Sequence, residues 1–252
     1  MARAIVRAPG KTFPTALTRQ TPPPAVDLEL AREQHSGYVR ALRQAGLEVL
    51  ELAPDDLHPD AVFVQDRVCV LDGCAIVGRS AVASRDGEEG PILDVLGSSF
   101  LTVPLRAPAF LDWGDVLIAE GRLFVGLSER SNEEAVSQLN TLLAPRRRVA
   151  AAPMPENLLH LLSGCSYLGR GLLLAVDSLS RFAQENGLEV LPVSGDEEAA
   201  GNVLALESGV IMPDGYPKTQ ARIAQTGRRV HSVPMSEFEK RNGGVTCLSV
   251  LY

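Results

Sequence analysis

Cys247 stands near the end of the chain in "GGVTCLSVLY" (243–252), behind two glycines and ahead of an apolar run. Two readings are open for its thiol. A free cysteine is commonly buried as a small hydrophobe in a last strand. A thiol placed beside a base is instead a nucleophile. The glycine pair lets the backbone turn sharply and lets another group come close. The other cysteines, Cys69, Cys74 and Cys165, lie inside apolar strand-like runs, where burial is the ordinary reading. No two of the four have C-x-x-C spacing, which sets aside zinc-ribbon and thioredoxin-type chemistry.

A nucleophilic thiol needs a base, and the base needs an acid to orient it. His160 lies in the apolar run "NLLHLLSGCS", the histidine setting that best fits a dry pocket. A hydrogen-bonded core histidine is the plainer reading of that position. His35 falls on a helix, His58 in a polar loop and His231 in a strand behind two arginines. Asp66 interrupts the apolar "VFVQDRV", and Asp112 precedes Trp113-Gly114-Asp115 in "FLDWGDVLIA". A carboxylate in a strand is costly unless paired or at an edge, so each belongs to a salt bridge, a turn or a site. Asp60, in "HPDAV", reads equally as a turn residue. Arg85 ("ASRDG") and Arg130 ("SERSN") follow strands in polar loops. Arginine there is usually solvated, yet it is also the preferred fork for a carboxylate.

Composition narrows the setting. The 252 residues, 45% hydrophobic and 22% charged, suit a globular protein with a sizeable core. A net charge of −7 argues against nucleic acid or an anionic membrane as partner. No apolar stretch is long enough to span a bilayer. The start, "MARAIVRAPGKTF", has no signal-type apolar region, so a cytoplasmic protein with reduced thiols is expected.

The elements that must position these residues repeat along the chain. "GLEVLEL" (46–52) returns as "GLEVLPV" (187–193), and "RRVAAAPMPE" (147–156) as "RRVHSVPMSE" (228–237). A helix-like segment precedes each strand: 28–45, 132–144, 177–186 and 217–226, with a weaker copy at 90–99. Between these pairs lie hairpins at 62–78, 115–126, 164–176 and 202–213. Their turns are expected at Asp72-Gly73, Glu120-Gly121, Gly169-Arg170 and Ser208-Gly209. Short echoes can arise by chance in an Ala/Leu/Val-rich chain; the repeated order of elements favours true repeats. The unit is strand–turn–strand–helix–strand, about one fifth of the chain, too small to bury its apolar face alone. About five copies are expected to close a ring, with a site where their loops converge. No linker divides residues 1–252, so one α/β domain is expected, with the Pro-rich "TPPPAV" (21–26) in a surface loop.

Taken in order, "VFVQD", "LDWGDVL" with "FVGLSERSN", "LLHLLSGCS", "VPMSEFEK" and "GGVTCLSVLY" resemble the dimethylarginine dimethylaminohydrolases. That family belongs to the guanidine-modifying penteins, with arginine deiminase and the amidinotransferases. The resemblance covers nearly the whole chain and implies a five-bladed α/β propeller of ββαβ units. It also implies roles. Cys247 matches the nucleophile, His160 the general acid and base, and Asp112 the acid that orients it. Asp66 matches the carboxylate that grips a guanidinium, and Arg85 and Arg130 the pair that binds an α-carboxylate. Asp60 and the backbone around Leu17 and Val245 match contacts to an α-amino group, and Phe63 is placed among the substrate contacts. Residues 12–25 match a mobile lid.

Two positions depart from the pattern. Trp113 replaces a glycine, which is expected to narrow or reshape the pocket. Gln65 replaces an acid beside Asp66, which removes a negative charge near the guanidinium. The resemblance implies hydrolysis of Nω-methylated arginine to citrulline without metal or cofactor. The implied partner is that small molecule alone, and the chain is expected to be a monomer or homodimer. Deimination of unmethylated arginine is the alternative within enzymes. A non-catalytic propeller that binds a macromolecule is the alternative outside them.

Overall fold

Strand β1 (Arg3–Arg7) leads through helix α1 (Leu28–Gln44) to the parallel strand β2 (Glu48–Leu52). The next unit is the hairpin β3 (Val68–Leu71) and β4 (Cys74–Val77), helix α2 (Gly90–Leu96) and β5 (Leu101–Pro104). A third runs β6 (Val116–Ala119), β7 (Arg122–Gly126), α3 (Glu133–Leu143) and β8 (Arg148–Ala152). The fourth has a short entry helix, α4 (Leu161–Gly164), then β9 (Cys165–Gly169), β10 (Leu172–Ala175), α5 (Ser180–Glu185) and β11 (Glu189–Pro192). The fifth runs β12 (Leu204–Leu206), β13 (Gly209–Pro213), α6 (Pro217–Gln225) and β14 (Val230–Val233). Helix α7 (Ser236–Glu239) then leads to β15 (Val250–Leu251), which pairs antiparallel with β1. The first blade is thus built from both ends of the chain. The result is five three-stranded sheets, each with one antiparallel and one helix-linked parallel pairing: a five-bladed α/β propeller. The computed structural model describes residues 2–252. Among them, no helix is long and apolar enough to cross a membrane.

Local chemistry sets these elements. Asp27 caps α1 by accepting the Leu30 N–H at 3.1 Å, and Asn132 caps α3 by accepting that of Ala135 at 3.1 Å. The turn pairs Asp72-Gly73 and Glu120-Gly121 both have positive φ, the geometry that matches the twist of a two-residue hairpin. The third hairpin turns at Arg170-Gly171, one residue later than expected, because its first strand continues through Gly169. Each middle strand carries a buried run: Ala4–Val6, Ala75–Ile76, Leu123–Val125, Leu173–Ala175 and Val210–Met212. These strands are covered on both faces, so they lack alternation.

The first hairpin begins at Val68, six residues later than the expected 62, and the difference matters for the site. Residues 62–66 do not extend β3; Val64–Asp66 fold into a 3-10 turn, so Asp66 is not in a strand. Trp113–Asp115 do the same before β6. Cys247 also lies in a 3-10 turn, Val245–Leu248, ahead of β15 rather than within it. Helix α4 before β9 and the turn Glu198–Gly201 before β12 complete the set. Every blade therefore enters its first hairpin strand through a tight turn, where the apolar ladder gives way to polar side chains.

Candidate active site

Each of these entry turns presents a different side chain. The second blade supplies Asp66 and the third Asp112, which precedes the Trp113–Asp115 turn. The fourth supplies His160, which precedes α4, and the closing blade supplies Cys247. Asp66, Asp112, His160 and Cys247 converge on one narrow cavity of about 30 Å³. Leu17, Asp60, Phe63, Arg85 and Arg130 line it too. Val245 does not; its side chain is buried in the apolar cluster behind Cys247 and Phe63. Gly243, of the glycine pair, completes the walls with Leu159, Arg241 and Asn242, three residues that the sequence did not single out.

The cavity is roofed by the segment read as a lid. The Leu17 N–H donates to Asp60 Oδ1 at 3.1 Å, and the Arg19 N–H to Asn242 Oδ1 at 2.9 Å. Arg241 donates to the Pro14 carbonyl at 2.5 Å. Asp60 therefore already meets the Leu17 backbone across the cavity mouth.

Charge is concentrated inside. His160 Nε2 lies 3.4 Å from Asp112 Oδ2, and its Nδ1 lies 3.9 Å from Asp66 Oδ1. Burial alone would push the imidazolium down. The charge of Asp66, the contact with Asp112 and the charge of Asp115 outweigh it, and the pKa of His160 stands at about 9. For Asp112, burial favours the neutral acid, but the His160 contact and the Arg85 charge hold it below the usual carboxylate range. Burial pushes the Cys247 thiol up to about 12, helped by the charge of Asp66 and opposed by the Gly244 N–H, which points at Sγ from 3.4 Å.

Arg85 is almost fully buried and its donors are committed. Nη1 binds Asp66 Oδ2 at 2.8 Å, Nη2 and Nε bind Glu88, and the Asp60 and Phe63 carbonyls lie within 3.5 Å of Nη2. Among the described residues, the Arg130 side chain has no carboxylate within ion-pair distance. Three acceptor atoms remain without a hydrogen-bond partner in this buried space: Asp66 Oδ1 and both carboxylate oxygens of Asp112. Buried acceptors left open are costly, so a site of this kind suits a donor-rich cation.

The family model described as "N,N dimethylarginine dimethylhydrolase, eukaryotic" matches residues 23–250. The N(G),N(G)-dimethylarginine dimethylaminohydrolase of Pseudomonas aeruginosa is 32% identical over 250 residues, covering 98% of both chains. The protein of that name from Streptomyces coelicolor is 35% identical, covering 98% of this chain and 96% of its own.

The chain belongs to the dimethylarginine dimethylaminohydrolase family.

The crystal structure of the Pseudomonas aeruginosa enzyme, as a cysteine-to-serine mutant complexed with citrulline, superposes with a TM-score of 0.94 at 31% identity, covering 99% of this chain and 98% of that one. The fold shared with this dimethylarginine dimethylaminohydrolase is the pentein propeller.

The two departures from the family pattern fall outside the cavity. The Trp113 side chain is buried in the apolar core and donates its indole N–H to the Ile76 carbonyl at 3.1 Å; it does not narrow the pocket as expected. Gln65 donates to the Trp113 carbonyl at 2.9 Å. With Thr246 it lines a second cavity of about 330 Å³, ringed by the first hairpin strands of the five blades. Gln65 and Thr246 thus turn away from the cavity that their neighbours Asp66 and Cys247 line.

Three supports escaped the sequence reading. A Cβ on Gly114 would stand 2.6 Å from His160 Nδ1 and 2.8 Å from Asp66 Oδ1, so the backbone runs directly beneath both. Asp115 is fully buried, accepts from the Ser128 and Ser131 hydroxyls, and takes the Leu161 N–H at 3.1 Å, next to His160. Asn202 contacts the turn of Cys247. The closeness that the glycine pair allows is used by Phe63 against Gly243, 2.3 Å from an added Cβ, and by Asn202 against Gly244, also 2.3 Å. A sequence signal existed: Asn202 precedes β12 in "GNVLAL" as Asp66 precedes β3, a polar residue before the apolar strand of each unit.

Proposed function

We propose that this protein hydrolyses Nω-methylated arginines to citrulline and dimethylamine or methylamine. The observation that carries the reading is the set of unmet buried acceptors on Asp66 and Asp112 beside a thiol and a protonated imidazole. A methylated guanidinium is a planar cation whose remaining N–H groups suit the open Asp66 Oδ1, while Asp112, fully buried, faces His160 and adds its negative charge behind it.

At rest the thiol is neutral and His160 is charged. When the substrate cation binds beside Sγ, its charge favours the thiolate, and the thiol proton leaves to solvent. The thiolate attacks the guanidinium carbon and forms a C–S bond. His160 gives its proton to the departing amine as the C–N bond breaks, which leaves an S-alkylthiouronium on Cys247. The neutral imidazole then takes a proton from water. The resulting hydroxide adds to the same carbon, the C–S bond breaks, and citrulline leaves. Asp112 holds the imidazole and favours its cation, while Asp66 holds the guanidinium. The uncommitted Arg130 meets the α-carboxylate, and Arg85 adds its charge from behind Asp66. Asp60 exchanges the Leu17 N–H for the α-amino group, with Phe63 and the backbone around Val245 shaping that end.

A cavity of about 30 Å³ is far smaller than the roughly 300 Å³ or more of ligand pockets. Residues 12–25 therefore move aside to admit substrate, breaking the Leu17–Asp60 and Arg19–Asn242 contacts. Citrulline release from dimethylarginine, monomethylarginine and arginine tests the reading. Methylated substrates should be preferred; a preference for unmethylated arginine would make the protein a deiminase. Mass spectrometry of enzyme quenched with substrate should place a covalent adduct on the C-terminal peptide. Cys247→Ser should be folded and inactive, and full activity there would end the covalent mechanism.

A further inference from the structure

The fifth blade, which begins with β12, contributes no residue to the chemistry above, yet its entry segment lies between the two turns that matter most. Asn202 is 4% exposed and fully hydrogen-bonded. Its Nδ2 donates to the Leu162 carbonyl at 2.9 Å and to Thr246 Oγ1 at 2.7 Å. Its Oδ1 accepts the Thr246 N–H at 3.0 Å. Leu162 belongs to α4, which His160 precedes, and Thr246 adjoins Cys247. One amide therefore touches both turns. Its orientation is not ambiguous: a backbone carbonyl can only accept and a backbone N–H can only donate, so a flipped amide would oppose like groups at both ends.

Neighbouring contacts make this amide a rigid strut. Ser166 donates to the Gly201 carbonyl at 2.8 Å and accepts the Val203 N–H at 2.9 Å, fixing the backbone on either side of Asn202. Gly244 leaves the room that the side chain occupies. On the far side of α4, Asp115 holds the Leu161 N–H. The helix is thus gripped from the third blade by Asp115 and from the fifth by Asn202, and Asn202 carries the grip on to the closing blade.

We propose that Asn202 is a positioning residue that holds the His160 turn and the Cys247 turn in register, so that imidazole and thiol share one substrate carbon. An aspartate at this position can still accept the Thr246 N–H but cannot donate to the Leu162 carbonyl, so it cuts the link on the His160 side alone. Alanine cuts both. The two small shifts matter because catalysis by paired groups is steep in their separation.

The inference rests on the proposed hydrolysis, and its test separates the two. Wild type, Asn202→Ala and the isosteric Asn202→Asp are assayed with dimethylarginine, with folding checked by thermal melts and near-ultraviolet circular dichroism. Both variants should lose at least fivefold in kcat with KM within threefold of wild type, and adduct formation in a single turnover should slow in parallel. A fastener with no positioning role would lower the melting temperature and leave kcat of the folded protein within fivefold of wild type, which would overturn the proposal. If wild type turns over no guanidino substrate, the hydrolase reading fails, and the positioning claim is read from Cys247 alkylation by iodoacetamide between pH 6 and 10. Peptide mass spectrometry resolves it from the other cysteines. Wild type should show an inflection from the titration of His160 that both variants lose; an inflection retained unchanged would overturn the proposal.

Discussion

His160 owes its charge to its neighbours. Burial opposes the imidazolium, and Asp66, Asp112 and Asp115 together overcome it, raising its pKa from 6.5 to about 9. A group whose folded pKa lies above its unfolded one stabilises the protein fully below the unfolded value and loses that contribution as pH rises through the folded value. The window is therefore pH 6.5 to about 9, and at most roughly 3 kcal/mol is at stake within it. Urea unfolding at pH 6.5 and 9.5 should show a larger loss of stability for wild type than for His160→Gln. Equal losses would mean that the carboxylates do not hold the proton. The same charge keeps a general acid ready at neutral pH, whereas the buried Cys247 thiol waits for the substrate cation.

The working element is the entry turn, and its backbone matters as much as its side chains. Gly114 lies under both His160 and Asp66, where a methyl group has nowhere to go. Gly114→Ala should displace the imidazole, lower kcat at least tenfold, and destabilise by about 1–3 kcal/mol through overpacking. Asp27→Ala is the contrast. It removes the one hydrogen bond by which that side chain caps α1, outside the cavity, and should cost about 1 kcal/mol, with citrulline release within twofold of wild type. Denaturant midpoints and the citrulline assay check the pair; matching activity losses in the two variants would place the Gly114 effect in the fold rather than in the site. The helices and the turns at Asp72-Gly73 and Glu120-Gly121 were legible because glycine pairs and helical periodicity are local signals; the other two turns fall one residue from the expected pairs, at Arg170-Gly171 and Glu207-Ser208, where strand pairing sets the register. The entry turns were not, because Asp66 and Cys247 lie in apolar runs that read as strand until the ring bends them inward.

At the scale of the molecule, the ring is closed by three residues. The Arg3 N–H meets the Tyr252 carbonyl at 2.8 Å, and the Tyr252 N–H meets the Arg3 carbonyl at 2.9 Å. Val250 is buried, and Tyr252 packs edge-on against Phe100 with ring centres 5.9 Å apart. Truncation after Ser249 removes β15 and about 3 kcal/mol of buried apolar surface, which should lower Tm by about 6–12 °C. It should also reduce activity, since the turn of Cys247 leads directly into β15. An unchanged melt would show that the blade does not depend on its closing strand. Because each blade lends one turn to the centre, the fold must be complete before the thiol, the imidazole and the carboxylates meet.

The order of strands and helices, the chemical types at Cys247, His160, Asp112 and Asp66, and the need for a glycine pair before the thiol were all written in the sequence. Each depends on a residue and its near neighbours. The commitment of Arg85 to Asp66 and Glu88, the inward packing of Trp113, the latch between Leu17 and Asp60, and the strut at Asn202 were decided only by the tertiary structure. Those contacts join segments far apart in the chain. Periodicity and turn chemistry report what one segment prefers, whereas closing the ring determines which segments touch.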